Sequence, residues 1–244
     1  MDMQHSLTKE NDVLNIGGQS LDSRFFIGTA LYDSPAQMQD SIEVSQSQVV
    51  TLSLRRQAAA EGLQQNENFW AFIQSFQNTD RFLLPNTAGC LSAKEAITTS
   101  IMARELFKTN WIKLEVIGDD YTLQPDPFQL VEAAAELISQ GFEVFPYCTD
   151  DLVLCEKLLS IGCKILMPWG APIGTGNGLM NPYALTLLRE RFPETPLVVD
   201  AGIGKVGAAR SIRRNAAEHR DVAAIGDRLA LRIRTREQRG DGLA

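Results

Sequence analysis

A chain of 244 residues with 44% hydrophobic and 22% charged side chains can bury a substantial core, as one large barrel or two modest domains. No stretch approaches 18 uninterrupted apolar residues, and the opening MDMQHSLTKEND lacks a basic segment followed by an apolar one. Neither a membrane span nor a secretory signal is expected, and the chain reads as cytoplasmic.

The net charge of −7 is uneven: −12 over residues 1–204 and +5 over residues 205–244. A basic tail can be a nucleic-acid or membrane arm, but the acidic body argues against general nucleic-acid binding. Cys90, Cys148, Cys155 and Cys163 show no CxxC spacing, and His5 and His219 are the only histidines. Reduced thiols are expected, with neither a zinc site nor a disulfide framework.

In chain order, IGGQSLDS ahead of Phe25 suggests a small hairpin on a barrel floor. Strands are predicted at 25–29, 48–54, 81–87, 111–118, 142–148, 163–169 and 196–202. Helices are predicted at 35–45, 69–77, 92–107, 127–140, 150–160 and 181–191, the third opened by a capping box, Ser92 to Glu95. Strand then helix, repeated every 25 to 30 residues or roughly so, is the pattern of parallel βα units. Seven strands are visible where a (β/α)₈ barrel needs eight. A doubly wound sheet competes, but the first turn, GTALYDSP, is no Gly-rich dinucleotide loop. An α/β fold of the (β/α)₈ TIM-barrel type is therefore expected. Its mouth would gather the strand ends Gly28-Thr29, Asn86-Thr87, Gly118-Asp119-Asp120 and Asp200-Ala201-Gly202.

The stretch WIKLEVIGDD, 111–120, carries the sharpest chemical signal. By alternation Lys113 and Glu115 share one strand face with Trp111. A lysine aimed into a barrel is desolvated, which favours the neutral amine and its attack on a carbonyl; Glu115 could then shuttle protons. An internal ion pair or an exposed edge strand would explain the same pattern. Asp200, at the end of LVVD, could act as a general base or simply open a turn. Gly170, Gly174, Gly176 and Gly178 in MPWGAPIGTGNGL could offer N–H groups to a phosphate or form a lid; the loop lacks GK[ST] and is no Walker motif. Arg55 and Arg56 fit an anion clamp or a solvated surface equally. Trp70, Trp111 and Trp169 fit core packing.

Together FIGTALYDSP, TLSLRR, LLPNTAGC, WIKLEVIGDDYTLQPDP, PYCTDD, MPWGAPIGTGNGL and VVDAGIG resemble the thiazole synthases of thiamine biosynthesis, through about residue 204. The resemblance implies a barrel enzyme that condenses 1-deoxy-D-xylulose 5-phosphate, dehydroglycine, and sulfur from the thiocarboxylated C-terminus of a small carrier protein. It implies that Lys113 forms an imine with the ketose phosphate, that Glu115 and Asp200 are the acid–base groups, and that Gly174, Ala201 and Gly202 contact the phosphate. It also implies a dehydroglycine-forming partner enzyme and a dimer or tetramer. These steps demand no metal and no redox cofactor, and no membrane. A Schiff-base aldolase on another ketose phosphate, and a non-catalytic remnant that only docks the carrier, are the competing readings.

One domain over 1–244 is expected, with an extension at 1–24, family-like units at 25–204 and an atypical basic tail at 205–244. The family's eighth strand ends in a VLLNTA-like motif that this chain lacks, so the eighth strand and last helices are expected to be aberrant or missing. Ala216-Ala217-Glu218-His219-Arg220 can be encoded GCT GCT GAA CAC CGC; read one nucleotide later, with the G of Asp221, this becomes Leu-Leu-Asn-Thr-Ala. Residues from soon after Gly204 are thus expected to be a frameshifted translation, the alternative being a genuinely divergent basic tail. Sequencing the gene decides it, since absence of a nearby frame encoding LLNTA removes the idea.

Overall fold

Gly17 and Gly18 turn the chain between β1 (Leu14–Ile16) and β2 (Gln19–Leu21), an antiparallel pair. The computed structural model describes residues 13–30, 32, 34–55, 71, 73–76 and 79–203, with the backbone of 222–226. Leu14, Ile16 and Leu21 are buried in one cluster with Phe26, Val49, Leu84, Trp111, Phe145, Ile165, Met167 and Val198. The hairpin therefore stops one end of a ring of strands. Each such aliphatic side chain withdrawn from water contributes about 1.5–3 kcal/mol.

The ring comprises β3 (Phe25–Gly28), β4 (Val49–Ser53), β5 (Phe82–Asn86), β6 (Trp111–Leu114), β9 (Glu143–Cys148), β10 (Met167–Pro168), β11 (Leu197–Val199) and β12 (Val222–Gly226). These eight run parallel in the order β10-β9-β6-β5-β4-β3-β12-β11. Parallel bridges Leu166↔Leu197 and Trp169↔Asp200 join the two ends, so the sheet closes into a barrel. Helices α1 (Pro35–Ser45), α2 (Ala93–Phe107), α3 (Pro127–Ser139), α4 (Leu152–Ser160) and α5 (Pro182–Arg191) alternate with the strands. Ser34, Ser92, Asp126, Asp151 and Asn181 cap their N-termini by accepting backbone N–H bonds. Ile112, Leu114 and Val116 point outward into the helix layer, against residues such as Ala96, Ala103, Leu130 and Ala134.

Three expectations are corrected. The strand predicted over 111–118 ends at Leu114. Glu115 loses its ladder neighbours to Thr87, and β7 (Ile117–Asp119) pairs antiparallel with β8 (Gln124–Pro125) in a separate hairpin. The strand predicted over 163–169 shortens to Met167–Pro168 with a bridge on either side, because Pro168 has no N–H for the ladder. The eighth position is not missing. Residues 222–226, VAAIG, pair parallel with both β11 and β3, occupying the edge those strands would otherwise leave open. The last helices, and most of the predicted helix at 69–77, lie outside the described residues. Among the described residues no helix is long and apolar enough to cross a membrane.

Candidate active site

The register of β6 answers which way its lysine points. Trp111 stacks on Phe82 and tilts against Phe145 inside the ring, its Nε1 donating to the Gly17 carbonyl oxygen at 3.1 Å. Two and four residues on, Lys113 and Glu115 face the same interior. They are 7% and 5% exposed, against 4% for Asp200 at the end of β11. The Lys113 Nζ lies 2.5 Å from Asp200 Oδ2 and 3.3 Å from Glu115 Oε1. The exposed-edge explanation of the alternation is thereby removed: this is an amine between two carboxylates at the C-terminal end of the strands. A buried charge trio of this kind is costly to desolvate and holds only because the groups pair with one another.

Backbone placement explains the geometry. The Thr87 hydroxyl accepts the Glu115 N–H at 2.8 Å and donates to the Glu115 carbonyl oxygen at 2.7 Å. Thr87 is itself fully buried, and its N–H donates to the Lys113 carbonyl oxygen at 3.2 Å. One side chain thus fixes the segment carrying both groups. Asp200 is held by its N–H to the Pro168 carbonyl oxygen at 3.0 Å and by its own carbonyl accepting from Gly170 at 2.7 Å. Ala201 then turns left-handed at φ +62, a strained conformation for a residue with a side chain, of order 1–3 kcal/mol. Gly202 follows at φ +69, where an added Cβ would stand 2.5 Å from Ala171 Cβ.

The loop after β10 is stitched to this turn. Gly178 N–H donates to the Gly202 carbonyl at 2.8 Å, and Met180 N–H to Gly170 at 2.9 Å. Gly174, at φ +85 in open space, lies on the same loop. Lys113, Glu115 and Asp200 are brought together, and Ala201 and Gly202 lie beside them on the mouth of the barrel. Trp169 Nε1 ties this loop to Asp150 Oδ1 at 2.8 Å. Arg55 bonds the Gly89 carbonyl and lies 4.0 Å from Glu95, half exposed, which uses it between two loops; Arg56 and Trp70 lie outside the described residues. A cleft of about 670 Å³ at the opposite end, lined by Lys108, Asn110, Trp111 and Phe142, holds none of the candidate residues.

In the sequence Thr87 stands only as a polar strand end, and no motif there points to Tyr147. Tyr147 is fully buried, and its ring centre lies 5.8 Å from Lys113 Nζ. Alternation along 142–148 carried the signal, since Phe145 and Tyr147 share a face. Burial, with the Asp200 and Glu115 carboxylates nearby, pushes its phenol far above the ordinary tyrosine range. Among the described residues no group of three or more His, Cys, Asp or Glu is arranged to hold a metal ion.

The family model "Thiazole biosynthesis protein ThiG" matches residues 15–214. The thiazole synthase of Coxiella burnetii is 56% identical over 198 residues, covering 81% of this chain and 74% of that protein. The thiazole synthase of Roseobacter denitrificans is 59% identical over 187 residues, 77% and 71% of the two chains. Among solved structures, the Amycolatopsis orientalis BexX/CysO complex superposes with a TM-score of 0.75 at 25% identity, covering 88% of this chain and 83% of that one. A 4-hydroxy-2-oxoglutarate aldolase superposes with a TM-score of 0.52 at 15% identity, covering 89% and 93%, a likeness of fold alone. With a matching model over most of its length and relatives more than half identical, this chain belongs to the thiazole synthase family.

Proposed function

We propose that the chain joins 1-deoxy-D-xylulose 5-phosphate, dehydroglycine and carrier-borne sulfur into the thiazole phosphate of thiamine, through an imine at Lys113. The observation that carries this reading is the Lys113 amine, buried, with carboxylates at 2.5 and 3.3 Å. Attack requires the neutral amine, and Asp200 and Glu115 are positioned to receive the proton it sheds. Addition to the ketone gives a carbinolamine, and loss of water gives the imine. The imine acidifies the neighbouring carbon, whose proton a carboxylate can remove while the electron pair moves onto C–N. This carries the carbonyl along the chain, ready for sulfur; the final ring closure loses water.

Gly174, Ala201 and Gly202 would hold the sugar phosphate, on a turn whose N–H groups can approach an anion closely. The sulfur donor would be the thiocarboxylated C-terminus of a small protein; the BexX neighbour is a complex with CysO, which supports a protein partner here. Dehydroglycine would come from a separate enzyme, and the chain would work as one domain within a dimer or tetramer.

Borohydride added with 1-deoxy-D-xylulose 5-phosphate should fix one ketose phosphate on Lys113, read by mass spectrometry of the peptide. Lys113→Ala should give no adduct, whereas Glu115→Ala should trap and turn over slowly. An adduct retained in the lysine variant would refute the assignment. An adduct with no sulfur incorporation from a thiocarboxylated carrier would favour the aldolase reading, and no adduct at all the remnant.

A further inference from the structure

Tyr147 is the buried polar group next to the trio that the proposed steps leave unused. On β9, Phe145 stands opposite Lys113 and Pro146 opposite Leu114, so Tyr147 is level with Glu115 and faces the same interior. Its ring centre is 5.8 Å from Lys113 Nζ, yet its hydroxyl has no hydrogen-bond partner among the described residues. A phenol in the interior normally finds an acceptor, and one left without is either strained or kept for another state of the site. Burial first, then the Asp200 and Glu115 charges, make ionisation of this phenol very unfavourable, so it stays a donor.

The other state is the imine. In the free chain the Lys113 ammonium offers three N–H donors to two carboxylates. Once the nitrogen is bound to carbon it keeps one hydrogen as an iminium and none as a neutral imine. Asp200 and Glu115 then lose donors in a place where water is scarce. We propose that Tyr147 is a positioning residue of this reaction: when Lys113 is bound as an imine, the Tyr147 hydroxyl donates to Asp200 and holds that carboxylate over the carbon whose proton must leave. The phenol keeps its proton throughout, while the carbon-bound proton goes to a carboxylate and its electron pair to C–N. The inference rests on the imine at Lys113.

The test separates the two. The full chain is incubated with 1-deoxy-D-xylulose 5-phosphate in D₂O without sulfur carrier. Borohydride trapping on Lys113 and deuterium uptake at the ketose carbon beside the ketone are both measured. Tyr147→Phe should trap within about two-fold of the unaltered chain, with a similar melting temperature, but exchange about ten-fold more slowly or worse. A chain carrying 3-fluorotyrosine at position 147 keeps the donor and should exchange near the unaltered rate, which also serves if the phenylalanine variant folds poorly. Equal exchange in Tyr147→Phe, equal loss of trapping and exchange, or exchange lost with fluorotyrosine would each overturn the proposal. An unaltered chain that traps but takes up no deuterium would overturn it too. Failure of the unaltered chain to trap would instead remove the imine, and this inference with it.

Discussion

Thr87 and Glu115 exchange two hydrogen bonds, hydroxyl to carbonyl at 2.7 Å and N–H to hydroxyl at 2.8 Å, across 28 residues of sequence. The Thr87 side chain thereby takes up the Glu115 main chain where β6 ends. It holds the glutamate main chain, and so the carboxylate, at the height of the lysine.

Thr87→Val keeps the shape and removes both bonds from the buried Glu115 main chain. Stability should fall by about 1–3 kcal/mol, and turnover by more than the loss of folded protein explains. Thr87→Ser should recover most of both. Urea unfolding and steady-state turnover on the three proteins check this, and a valine variant with full activity would show that Glu115 needs no such support.

Gly202 and Gly174 both have positive φ but differ in their surroundings. Gly202→Ala would drive its Cβ against Ala171 Cβ at 2.5 Å, whereas the space at Gly174 is open. Gly202→Ala should therefore cost more than Gly174→Ala, which carries backbone strain alone, of order 1 kcal/mol. At a few degrees of melting temperature per ~1 kcal/mol, thermal unfolding resolves the difference. Equal shifts would mean that the turn at 200–202 yields.

Asp126 caps α3, accepting the N–H groups of Phe128 and Gln129 at 2.9 and 3.0 Å and the Gln129 side chain at 2.9 Å. Partial burial opposes its charge, but these bonds prevail and hold its carboxyl below the ordinary 3.8. A lowered folded-state value means that the contribution is complete above the unfolded value and is lost as pH falls through the folded one. Asp126→Ala should cost about 1 kcal/mol at neutral pH. The gap from the unaltered chain should narrow in denaturant titrations as pH falls below the ordinary carboxyl value of 3.8. A gap unchanged with pH would place the cost in packing instead.

Cys90, Cys148, Cys155 and Cys163 are all buried and free. The Cys155 hydrogen bond first, and then burial, raises the Cys148 thiol; burial first, then Glu143, pushes Cys163 up to about 12; and burial raises Cys90. The thiolate is the reactive form. Iodoacetamide at neutral pH should therefore modify the folded chain about ten-fold more slowly, or worse, than the unfolded one. Rapid labelling of the folded chain at Cys148 would show that the wall between β9 and α4 opens.

Local pattern determined much of this protein. Alternation in 111–116 assigns Lys113 and Glu115 to one face and Ile112, Leu114 and Val116 to the other, because strand side chains must alternate. Apolar spacing, with the Ser92 capping box for α2, set α1 to α5 to within two residues, since both are local properties of the backbone. Alternation cannot say which face is the interior, and it sees nothing across 28 residues. Closure of the ring decided both: it brought Asp200 from β11 to within 2.5 Å of an amine on β6, and Thr87 to Glu115. Closure also placed 222–226 between β3 and β11, where the lack of the family's VLLNTA-like motif had suggested a gap. Pairing between distant strands depends on both edges at once, and no single stretch of sequence carries that information.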